Sequence, residues 1–178
     1  RDGWHRWLLV ARNGVVVGTV PLRDKRTDPG VGPRRQARQV ALQALFQWEA
    51  AGNPPAAGVR WAEEEYGLDE SVSTFAQELA NGVLAHLPAI DDLITRYAHD
   101  WELLRLARVD RNILRIAIFE LLFANRPDVP PPVAISEAVE LAKRFSTVEA
   151  GRFVNGILGQ LARDRGLVGA GLGDPGGT

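Results

Sequence analysis

Three arginines fall within five residues, Arg34, Arg35 and Arg38, directly after the pair Gly32-Pro33. Guanidinium groups carry fixed charge and forked donors that suit phosphate oxygens, and their planes can lie flat on nucleic-acid bases. Proline is a good first-turn residue. The arginines would therefore open a helix, where free backbone N–H groups add to the attraction for anions. At ~100° per residue, with Arg34 at zero, Arg35 lies near 100° and Arg38 near 40°, so the three share one arc. In the same frame Ala41, Ala44, Leu45 and Trp48 make an apolar stripe centred at roughly 320–330°, and Phe46 falls at about 120°. This spacing predicts an outward-facing aromatic beside Arg35, available to a base or to a protein partner. The plainer reading is a solvated, charged helix end.

Other chemistries find little support. The chain of 178 residues has no cysteine. That excludes disulfides, thiolate nucleophiles and the usual zinc or iron–sulfur ligand sets, and it is compatible with a reducing cytoplasm. His5, His86 and His99 have no ligand spacing, so neither a metal nor any other cofactor is expected. No Ser/His/Asp or paired-carboxylate arrangement stands out, and no enzymatic activity is expected. Gly169-Ala170-Gly171-Leu172-Gly173 has no strand before it and no helix after it, so it does not read as a nucleotide-binding loop. No apolar run approaches the ~18 residues of a membrane span.

The elements that must position these residues read as helices. After the first, which should stop near Gly52-Asn53-Pro54-Pro55, apolar periodicity returns from about 71 to 87 and again from 90 to 97. Ile113, Leu114, Ile116, Ala117, Ile118, Phe119, Leu121 and Leu122 are apolar on almost every side, which places that helix in the middle of a bundle. Two further helices carry Ile135, Ala138, Val139 and Ala142, then Phe153, Val154, Ile157, Leu158 and Leu161. The expected fold class is all-α, a compact helical bundle over residues 33–165. Residues 1–32 read as an appendage and linker, a hairpin or a disordered segment. There Asn13-Gly14 stands between Trp7-Leu8-Leu9-Val10 and Val15-Val16-Val17, without the order of a secretory signal. Residues 166–178 read as a flexible Gly-rich tail. Net charge is -1 overall, but residues 1–38 carry nine Lys/Arg against three Asp/Glu, while the rest carry twelve against nineteen. An acidic body with a basic front edge suggests a local anion site, not extensive wrapping by nucleic acid.

Taken in order, Arg34-Arg35-Gln36-Ala37-Arg38 through Phe46-Gln47-Trp48, Leu114 to Leu121, Val133 to Lys143, and Phe153-Val154-Asn155-Gly156-Ile157-Leu158 resemble the NusB family of transcription antitermination factors. The resemblance runs from about Pro33 to Arg165. Serine at 136 and phenylalanine at 46 depart from the asparagine and tyrosine familiar there. The resemblance implies two small helical subdomains and a cytoplasmic, non-enzymatic RNA-binding protein. It would bind the single-stranded boxA element of nascent ribosomal RNA with NusE, a ribosomal protein, within the RNA polymerase antitermination complex. By position it also implies Arg34, Arg35 and Arg38 as an arginine-rich RNA motif. Lys143, Arg144, Glu149, Arg152 and Phe153 would form a second RNA-facing patch, and Phe46 and Asp110 would lie toward the protein partner.

Physical reading of the same residues leaves alternatives. Thr147 suits a helix N-cap with Glu149 in the first turn, where a carboxylate favours the dipole, so Glu149 also has a purely stabilising role open to it. Phe153 has the spacing to Ile157 of a core residue. Asn155-Gly156 is costly inside a helix and would be explained by close helix contact, with Asn155 bonding a neighbouring backbone. Arg115 and Glu120 read as ion-paired or edge residues. Two other function classes compete: a protein scaffold or homodimer, and a stand-alone relative of the domain that precedes RNA cytosine methyltransferases. The latter lacks here any βαβ pattern or nucleophilic cysteine.

Overall fold

The structure, a computed structural model, describes residues 4–10, 16–23, 32–99 and 103–169. Two strands, β1 (Trp4–Val10) and β2 (Val16–Arg23), pair antiparallel, with Trp4 opposite Arg23 and Leu9 opposite Gly18. The Asn13-Gly14 turn and the tail beyond residue 169 lie outside the described residues. The body is helical: α1 (Pro33–Ala51), α2 (Pro55–Tyr66), α3 (Glu70–Ala85), α4 (Leu87–Tyr97), a single 3₁₀ turn (Leu103–Arg105), α5 (Arg108–Leu122), α6 (Pro131–Phe145) and α7 (Val148–Asp164). Among the described residues, no helix is long and apolar enough to cross a membrane.

Local chemistry sets most boundaries. Pro33, Pro55 and Pro131 each open a helix, where a missing N–H costs nothing. Gly52 ends α1 in the left-handed conformation (φ 72°) and returns its N–H to the Trp48 carbonyl, a turn that disfavours a side chain. Thr147 caps α7 by accepting a hydrogen bond from the Ala150 N–H at 3.0 Å, as its position before that helix predicts. The break expected between residues 87 and 90 falls earlier, and Pro88 is not what makes it. Pro88 sits in the first turn of α4, after α3 has already ended at Ala85. Periodicity gave no sign of α2, because it buries only Pro55, Gly58, Val59 and Ala62.

Helices α1, α2 and α3 pack on one another, α4 to α7 form a second group, and α5 meets both α1 and α3. The expected central role of α5 holds: Ile113, Leu114, Ile116, Ala117 and Ile118 are all buried. Helix α1 departs from expectation. Its residues 36–45 are buried without a break, so this helix has no solvent face along its middle. The ends of α1, α4 and α5 are tied by charge. Glu49 pairs with Arg111 and with Arg115 (2.6 Å), and Arg115 forks onto Asp91 at 2.8 and 2.9 Å.

Gly82, in the interior of α3, faces the Phe119 ring of α5. A Cβ there would lie 2.1 Å from the ring's Cζ. Phe119 is itself buried, so its rigid ring would have to shift within the core. Gly82→Ala should therefore destabilise the fold by about 1–3 kcal/mol through overpacking, even though alanine favours helix by about 1 kcal/mol. Urea denaturation would show it as a lower midpoint.

Candidate nucleic-acid interface

The start of α1 stands at the junction of the two helical groups, and its three arginines go to three different places. Arg34 is 48% exposed and pairs with Asp128, in the connection between α5 and α6. Arg35 is 42% exposed and forks onto Glu137 of α6, Nε to Oε2 at 3.0 Å and Nη2 to Oε1 at 2.9 Å. Arg38 forks onto Glu120 of α5, and both side chains are only 3% exposed. Its guanidinium also lies 5.5 Å from the Phe75 ring centre.

The placement of Arg38 corrects the expectation of one outward arc. Arg38 is a buried structural cation that joins α1 to α5. The reason is α1's position: a helix clasped on several sides has no outward arc at that depth. Phe46 is corrected for the same reason. It is half-buried and packs against the core, not out from a solvent face. Asp110 sits in the first turn of α5, and its Oδ1 is buried with no hydrogen-bond partner among the described residues.

Arg35 meets the second predicted patch. It lines one open cleft together with Lys143 and Arg144, from the last turn of α6, and with Gln39, Glu137, Glu140 and Leu141. The Lys143 stem lies across Gly151 of α7, where an added Cβ would come within 2.9 Å of the Lys143 Cγ. That close approach helps to hold Lys143 at the cleft. Arg144 lies beside Phe145, 5.8 Å from its ring centre. Glu149 and Arg152 are exposed on the first two turns of α7, outside the cleft lining, and Phe153 is half-buried against the core. Asn155 and Gly156 are both exposed, and a Cβ added at Gly156 would meet no other element within 4 Å. The expected close helix contact there is absent, and nothing in the packing explains this pair.

Arg34 borders a second open cleft with Ser71, Thr74, Phe75 and Arg126. Arg126 was not foreseen. It pairs with Glu78 and lies 4.6 Å from the Phe75 ring centre. Gln39 and Glu137 were also missed, although Gln39 stands one helical turn after Arg35 and so shares its side of α1.

Charge on these groups is set locally. The hydrogen bonds from Arg35 hold the Glu137 carboxyl below the usual glutamate range, and those from Arg34 do the same for Asp128. The arrangement is an acid-tempered basic surface, not a bare one. A phosphate reaching Arg35 must share its fork with a carboxylate or displace it.

The sequence profile of the NusB family matches residues 35–163. A transcription antitermination protein NusB from Heliobacterium modesticaldum is 50% identical over 131 residues, covering 74% of this chain and 63% of that protein. The chain thus spans less than two thirds of that relative. The NusB of Myxococcus xanthus is 47% identical over 136 residues, 74% of this chain and 96% of its own length. A solved structure of antitermination factors NusB and NusE in complex with dsRNA matches with a TM-score of 0.67 and 28% identity, over 74% of this chain and 97% of that one.

Two predictions test these assignments. Arg38→Ala should cost about 3–5 kcal/mol, because it leaves Glu120 charged and buried, whereas Arg34→Ala should stay within about 0.5 kcal/mol. Denaturant titration of both variants separates a structural from a surface arginine. Glu137→Gln should lower the melting temperature at neutral pH. Because pairing depresses this carboxyl, its contribution is complete above the ordinary glutamate range and is lost as pH falls through the folded-state value. The gap in melting temperature between the two proteins should therefore close as the solution is acidified.

Proposed function

The chain belongs to the NusB family, and from that premise we propose that it is a non-catalytic RNA-binding adaptor in transcription antitermination. Its RNA would be the single-stranded boxA element of nascent ribosomal RNA, bound jointly with NusE as part of the RNA polymerase complex. The observation that carries this reading is the convergence of Arg35 with Lys143 and Arg144, from helices a hundred residues apart, on one open cleft. Cations from separate elements on a shared concave surface offer a track for a phosphate backbone, which scattered surface charge does not. Glu149 and Arg152, at the start of α7, would border the same track, with Phe153 behind them. Arg34 and Arg126 would extend it across the first turn of α1.

The acidic partners of these arginines and the net charge of the body limit what RNA alone can gain here. A second protein that adds its own RNA contacts would raise the joint affinity through linked sites. Support for this comes from the solved relative bound to NusE and dsRNA. Asp110 and Phe46, both half-buried, are our candidates for the partner face. Residues 1–32 fall before the matched family region, and we propose that they are an appendage outside the RNA adaptor proper.

The test is fluorescence anisotropy with a boxA-like RNA, with and without NusE, across a salt series. The Arg35→Ala, Lys143→Ala double variant should bind more weakly and lower the slope of log affinity against log salt by about one unit per lost phosphate contact. NusE should strengthen binding of the unaltered chain. An unchanged slope would show that these side chains do not meet phosphate.

A further inference from the structure

We infer that Gln39 reads the edge of one unstacked RNA base inside the cleft between α1 and α6. The inference rests on the RNA-binding reading above and adds to it a site for base recognition. Gln39 is 2% exposed, yet its Nε2 has no hydrogen-bond partner among the described residues. Buried polar groups are nearly always paired, and leaving one unpaired costs on the order of 1–3 kcal/mol. Gln39 lines the cleft that also holds Arg35, Lys143 and Arg144, so its buried amide borders the space an acceptor would enter. Gln36 and Gln43 on the same helix carry unpaired amide atoms too, but neither lines this cleft.

The chemistry of the walls says which acceptor. Glu137 and Glu140 line the cleft beside the cations. The Glu137 carboxylate, 17% exposed, disfavours a phosphate at the floor, while Lys143, 49% exposed and paired with the similarly exposed Glu140, can meet one at the rim. A neutral group with an in-plane acceptor fits the floor, and the four nucleobases carry such acceptors at different positions on their edges, so a fixed donor favours the base that presents one to it. Leu141 adds an apolar surface against which a ring can lie. The cleft, about 330 Å³, is at the small end of ligand sites and suits one base, not a stacked run. In a duplex the bases stay stacked and paired, so only a single strand can turn a base into such a site.

The full chain would be titrated with short oligouridine strands that differ only in one central base (A, C, G or U), and with a blunt RNA duplex of the same length. The unaltered protein should prefer one central base over the least favoured by about tenfold. Gln39→Leu keeps the buried volume and removes the amide. It should compress that preference to about twofold while leaving the salt slope and the duplex affinity unchanged. Gln39→Asn, which withdraws the amide by one methylene, should do the same and serves if the leucine variant fails to fold. Salt-dependent binding with no preference among the four strands, or a preference that survives both substitutions, would overturn the role of Gln39. Failure of every RNA to bind in a salt-dependent way would instead overturn the RNA-binding reading, and this inference with it.

Discussion

A guanidinium and a carboxylate, both almost wholly withdrawn from water, join the first helix to the fifth, and the directions of the other two arginines at the start of α1 follow from that pair. Arg38 presents Nε and Nη2 to Glu120 in a fork that has one good geometry. Removing two charges from water is costly, and the attraction between them offsets this cost only when the fork is well made. Turning α1 about its axis would leave both ions buried and unpaired. The pair therefore acts as a register pin more than as a source of net stability. With Arg38 pinned inward, Arg34 is directed toward Asp128 on one side and Arg35 toward Glu137 on the other.

This geometry explains why the basic surface is divided between two clefts. Each exposed arginine of α1 meets an acid, and the cleft beside Arg35 also carries Glu140. Such a surface is selective about what displaces its carboxylates. A mobile counter-ion gains little there, whereas a polyanion that engages Arg35, Lys143 and Arg144 together gains several charge-assisted bonds at once. The charge pattern of the whole chain, basic at the front and acidic behind, agrees with a narrow track in preference to a broad coating.

The second group of tethers holds the far end of α1. Glu49 takes Arg111 and Arg115, while Arg115 also grips Asp91, so α1, α4 and α5 are clamped where the two helical groups meet. Arg111 further donates to the Leu103 and Leu106 carbonyls, at 2.9 and 3.2 Å, which satisfies the backbone of the segment just before α5. Asp110 and Phe46 lie on the helices that this clamp joins. The partner face proposed for them is thus mounted on rigid elements, as a recognition surface needs if binding is not to be weakened by ordering it.

Much of the fold was legible in the residues alone. Apolar positions all round Ile113–Phe119 identified the buried helix, Gly52 and Thr147 marked a stop and a start, and the motif order from Arg34 to Leu158 pointed to the family. Those signals are local, and local rules read them. Periodicity failed where a helix is enclosed. It assumes one core and one solvent face, and α1 packs against α2, α3 and α5, so Gln36, Arg38, Gln39 and Gln43 are buried beside Ala37, Ala41 and Leu45. Short, weakly apolar α2 escaped notice because it buries only Pro55, Gly58, Val59 and Ala62, and at Gly58 the close approach to Ala44 leaves no hydrophobic mark. By itself, then, the sequence determined an all-helical body, its main boundaries and a basic front edge. Which arginine is a pin and which can meet a ligand, and that Gln39 and Glu137 share a cleft with Lys143, was decided only by tertiary structure, because the choice depends on carboxylates brought near from 80 or more positions away.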